Sequence, residues 1–179
     1  FSNAPMMSAD LRGSTFSYGA SFLSADLSDA KLVDSGIMTS MSNLVADGAD
    51  FSGSWFEMTS FGNSSLVSAN FDHTDYYMGS GYFKGATLTD ASFVSADFYG
   101  YANFEDAKAE RVDFSSADLD GANFASADLD GANFYGADLQ SADFSNASLI
   151  GADLSNLSSD TTSYISIDFS NAQMMSADL

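Results

Sequence analysis

The stretch SADLDGANFASADLDGANFYGADL, Ser116 to Leu139, repeats every five residues: a Leu or Phe, preceded by Asp or Asn and, two before, by Ala. Helices repeat near 3.6 and strands at 2, so a sustained period of five excludes both as ordinary elements. Working outward, the Leu or Phe centres recur without a slip from Phe104 to Leu179, passing through Leu154, Ser159, Tyr164 and Phe169. Upstream, the steps Phe16–Phe22 and Phe98–Phe104 carry one extra residue, and Ile37–Leu44, Leu44–Phe51 and Tyr76–Phe83 carry two. A longer repeat encloses the short one. FSNAPMMSADL at Phe1–Leu11 returns as FSNAQMMSADL at Phe169–Leu179, an offset of 168 residues, the mark of a tandem array.

The tandem A(D/N)(L/F)xx units of Ser116–Leu139 resemble the pentapeptide repeat proteins, and the resemblance covers essentially the whole chain. It implies an all-β fold, a right-handed quadrilateral β-helix with four pentapeptides per square coil. The extra residues total eight, so the 168-residue offset leaves 160 in register, or 32 pentapeptides and eight whole coils. The expectation is therefore a single solenoid over residues 1–179, about eight to nine coils, forming one period of a longer array plus an overlap. No helical pattern at either end suggests a capping helix.

Centres one coil apart are expected to stack. This register places Phe16, Ile37, Phe61, Phe83, Phe104, Phe124, Phe144 and Tyr164 in one column, and Phe22, Leu44, Leu66, Leu88, Ala109, Leu129, Leu149 and Phe169 in the next. A register centred on Met41 and Ala46 breaks this coherence and is set aside. The residue two before each centre is almost always small, because a narrow square interior leaves no more room beside a large centre. Val112, Leu157 and Ile167 are exceptions, and an altered rung is expected around Leu157 to Ile167.

The balance of 25 acidic residues against five Lys and Arg gives a net charge of -20, which repels nucleic acid and anionic lipid. Sixteen Phe and 45% hydrophobic residues separate the chain from disordered acidic sequences. The absence of Cys removes disulfides and thiol chemistry, and no apolar run reaches membrane-spanning length. Asp and Asn before the centres read as turn-forming residues that bond nearby backbone N–H groups, with divalent cations bound diffusely at most. His73, the single histidine, reads as a surface residue. No metal, cofactor or catalytic residue is assigned, and the chain is read as non-enzymatic.

The long steps after Tyr76 and Phe98 fall between the same two columns, so their residues emerge on one side. They bring Tyr77, Tyr82, Tyr99 and Tyr101 together as a candidate partner-binding patch, with Trp55 extending it. The leading functional reading is a rigid acidic rod or spacer within a longer repetitive structural or cell-surface protein, acting as a protein–protein interaction scaffold. Partners are another protein or neighbouring copies stacked end to end, in an extracellular or cell-surface setting; the cytoplasm and the thylakoid lumen stay open. The family resemblance implies an alternative, because some of its members imitate duplex DNA and bind DNA gyrase. A third reading is an adhesin stalk weakly stabilised by Ca²⁺.

Overall fold

A computed structural model describes residues 1–78, 81–100, 102–158 and 166–179. Each five-residue unit supplies one side of a square. The centre and the residue two before it point inward, and the carbonyl of the centre accepts the N–H three residues on, as in Ala127 N to Phe124 O at 3.0 Å. The residue two after the centre takes a left-handed conformation, φ +60° at Ser126 and +57° at Arg111, the geometry of a type II turn. Gly121 and Gly131 meet this demand without strain, at φ +67° and +69°.

Successive coils are parallel and pair backbone to backbone. Four two- or three-residue strands, β1 (Thr15–Phe16), β2 (Gly36–Ile37), β3 (Trp55–Glu57) and β4 (Asp75–Tyr77), form a parallel sheet in that order. The remaining rungs meet as single pairs. One line of pairs runs Pro5, Asp26, Val45, Ser65, Thr87, Lys108, Asp128, Ser148, Gln173, and defines the first column. Asp10 through Asn70 and Asn133 to Asp178 defines the second, β1–β4 continuing through Asp97, Asp118 and Asp138 to Ser158 the third, and Ser60 through Asn123 to Asp168 the fourth.

Phe stacks fill the interior. In the second column Phe51 lies on Phe71 at 4.7 Å and in the fourth Phe104 lies on Phe124 at 4.9 Å, both with interplanar angles of 5°. The two columns meet edge to face inside the square, for example Phe71 and Phe83 at 5.6 Å and 84°. Such offset and T-shaped contacts bury large apolar area without needing a polar partner.

The expected register fails in two places, and the failures cancel. Val45 pairs with Asp26 and Ser65, so Ala46 is the first-column centre, and the Met41 N–H bonds to Ser60 O at 2.8 Å, which puts Met41 in the fourth. Leu44 is not a centre; it sits two before Ala46 and is fully buried there. Bulk has moved from the centre to its small-residue neighbour, because both positions face the same interior. Ile37 to Met41 is therefore one residue short rather than two long.

At the other end Asp168 pairs with Asp143, 25 residues on instead of 20, and Phe169 stacks on Phe144 at 5.3 Å. Phe169 thus belongs to the Phe144 column, not to that of Leu149. The five added residues lie between Ser158 and Asp168. Centres Ser159 and Tyr164, and most of the altered rung expected there, lie outside the described residues. Leu157 is half-buried against the core. Pro5 and Gln173, one of the two copies' equivalent positions, are still eight coil steps apart in the first column. Gln173 N–H donates to Ala147 O at 2.9 Å; Pro5 has no such donor, so the outward row of the first rung lacks it.

Candidate interaction surface

Every departure from the five-residue step falls in the turn between the third and fourth columns. Phe16–Phe22 is one long, Ile37–Met41 one short, Tyr76–Phe83 two long, Phe98–Phe104 one long, and the five-residue addition follows Ser158. The other three turns keep strict step among the described residues. Length variation on one turn leaves the columns aligned and pushes residues outward on one side.

That turn carries exposed aromatic and thioether side chains. Tyr77 and Tyr99, each directly after a third-column centre, stack at 4.9 Å and 20°. The Tyr77 hydroxyl donates to Asp75 Oδ2 at 3.3 Å and the Tyr99 N–H to Asp97 Oδ1 at 2.9 Å. Hydrogen bonding with Tyr77 and the negative charge of Asp97 push the Tyr99 phenol up to about 12. Three coils before Tyr77, the Tyr18 hydroxyl reaches across two coils to Glu57 Oε1 at 2.9 Å. Met58 and Met78 stand out beside them, 63% and 77% exposed.

Of the candidate patch residues, Tyr77 and Tyr99 come together. Tyr82 lies just beyond the turn, at the head of the fourth column between Ser60 and Asn103, and is exposed. Trp55 lies in β3 and is half-buried; its indole covers Gly36, where a β-carbon would fall 2.6 Å from Cε2. Tyr101 lies outside the described residues. Tyr18, Met58 and Met78 were missed. Tyr18 and Met78 stand in long steps and were legible from that signal, whereas Met58 stands in a regular step and is revealed only by stacking.

The Asp and Asn residues before the centres serve their own turns. Asp113, Asp143, Asp153 and Asn123 each accept the N–H two residues on, at 2.9, 2.8, 2.9 and 2.9 Å. Among the described residues no group of three or more acidic or histidine side chains is arranged to hold a metal ion. His73 is itself a left-handed turn residue, φ +56°. Three cations form ion pairs: Arg12 with Asp10 at 2.6 Å, Lys84 with Glu105 at 2.7 Å and Arg111 with Asp90 at 2.7 Å. Arg12 holds the Asp10 carboxyl down at about 2.

Square coils, type II turns and an inward Leu/Phe column on each side define a quadrilateral parallel β-solenoid. The profile of the family described as pentapeptide repeats matches in eight copies over residues 47–75, 101–134 and 117–156. The chain belongs to the pentapeptide repeat family. Solved structures similar to it include HetL, a pentapeptide repeat protein involved in heterocyst differentiation regulation in the cyanobacterium Nostoc sp. (21% identity, 99% of this chain and 87% of that one, TM-score 0.31). Another is QnrB1, a plasmid-mediated fluoroquinolone resistance protein (17%, 97% and 85%, TM-score 0.46). A third is a pentapeptide repeat protein of the Arabidopsis thaliana thylakoid lumen (25%, 69% and 66%, TM-score 0.27). No curated protein sequence matches the chain. No helix among the described residues is long and apolar enough to cross a membrane.

Proposed function

We propose that this solenoid is a rigid, acidic, non-enzymatic scaffold that presents the turn after its third column to a protein partner. It forms one 168-residue period of a rod. The observation that carries the reading is the confinement of every length change to that one turn while eight whole coils separate the two equivalent terminal rungs. Phe1 stacks on Phe22 and Phe169 on Phe144, so both copies of the terminal sequence occupy the same columns. Periods joined in this phase carry the irregular turn forward in line. At roughly 4.8 Å per rung each period adds about 38 Å.

The acid-rich, cysteine-free composition supports an extracellular or cell-surface setting. Small-angle X-ray scattering on two periods joined in tandem tests the rod. Length should grow by about 38 Å at constant cross-section; two independently tumbling bodies would reject it. Inhibition of gyrase supercoiling by the single chain would favour the DNA-imitating alternative instead.

A further inference from the structure

The turn after the third column combines exposed apolar surface with carboxylates that no cation of this chain answers. Tyr77, Tyr99, Met58 and Met78 line it. The third column beside it carries Asp75, Asp97, Asp118 and Asp138 on four successive coils. Neither that column nor its turn contains a Lys or Arg. Burial, then the charges of Asp97, Asp138 and Asp120, raise the Asp118 carboxyl above its ordinary range while the Asp120 N–H opposes them. The surface is thus apolar along one edge and short of positive charge along the other.

We propose that this strip is the docking site for an arginine-bearing helix of a protein partner; the proposal rests on the scaffold reading above. Guanidinium suits both halves of the surface, since it stacks on tyrosine rings and pairs two-pronged with carboxylates, which an ammonium does not. Methionines adapt their shape to an apolar helix face. The spacing also matches. Stacked rings set the rung repeat between 4.4 and 5.3 Å, and a helix lying along the solenoid presents side chains three and four apart at rises of about 4.5 and 6 Å. An extended strand presents same-face residues about 6.8 Å apart and leaves register within two rungs. Nucleic acid is repelled by the net charge of -20.

The test is fluorescence anisotropy at physiological salt, using a labelled Ala/Leu helix of about 18 residues, long enough to be helical, with four arginines along one face. Companion peptides carry lysine or glutamine at the same positions. The arginine peptide should bind the intact chain more tightly than the lysine peptide, and the double variant Tyr77→Ser/Tyr99→Ser should weaken it about tenfold. Tyr135→Ser, an exposed tyrosine on the turn after the second column, should leave binding unchanged. No binding, or an equal loss in both variants, overturns the docking site. If the glutamine peptide binds as tightly as the arginine peptide and the double variant loses both, the cationic occupant is overturned while the interaction face stands.

Discussion

Replacing Tyr76 by Phe should stabilise the protein, although it removes a polar group from a well-packed core. The Tyr76 ring lies between Phe56 at 4.8 Å and 13° and Phe98 at 4.4 Å and 3°, contacts that Phe preserves. Its hydroxyl is fully buried and makes no hydrogen bond among the described residues. The neighbouring Thr74 hydroxyl is engaged with Phe71 O at 2.7 Å. A buried unsatisfied hydroxyl costs about 1–3 kcal/mol. Deleting the oxygen leaves at most one probe sphere of space, about 10–15 Å³, worth about 0.3 kcal/mol at about 24 cal/mol per Å³.

The expected net gain is about 1–2 kcal/mol, or roughly 2–8 °C in Tm for a chain of this length. Urea unfolding with an unchanged m-value is the assay. The alkaline limb adds an independent check. Burial raises the Tyr76 phenol well above its ordinary range, so the folded state holds a proton that the unfolded chain releases. Stability is therefore intact below about pH 10 and falls as pH rises past it. Tyr76→Phe should flatten that fall. A lower urea midpoint in the variant, with the alkaline limb unchanged, would refute the reasoning and mean that the hydroxyl is satisfied.

Gly36→Ala should force the Trp55 indole off the preceding coil, at a cost of about 1–3 kcal/mol for overpacking and with a red-shifted Trp emission; unshifted emission would count against the close packing. Asp118 has a raised folded pKa, so its contribution is fully present below pH 3.8, its ordinary value, and is lost as pH rises through the raised value. Asp118→Asn keeps the turn-accepting oxygen and should gain stability at pH 7 relative to the parent but not at pH 3, measured by urea midpoints. Sodium chloride should raise Tm by screening the like-charged columns, and Ca²⁺ at matched ionic strength should add nothing; a specific Ca²⁺ increment would reveal a bound ion.

The square coil came from the resemblance that the A(D/N)(L/F)xx units carry; with four units to a coil, spacing along the chain was then enough for the count of eight coils and the side from which the Tyr77 and Tyr99 steps emerge. The register across Ile37–Phe51 was not legible. The centre and the residue two before it both face the interior, so Leu44 with Ala46 fills the rung as well as a large centre beside a small neighbour, and only the pairing of Val45 with Asp26 and Ser65 separates the two. The addition before Phe169 escaped for a simpler reason. It is five residues long, and an insertion equal to the period leaves the period unbroken. Tertiary stacking decided both, along with the company of Met58 at the tyrosine turn, since the contact of one coil with the next is a distance in space that spacing along the chain does not measure.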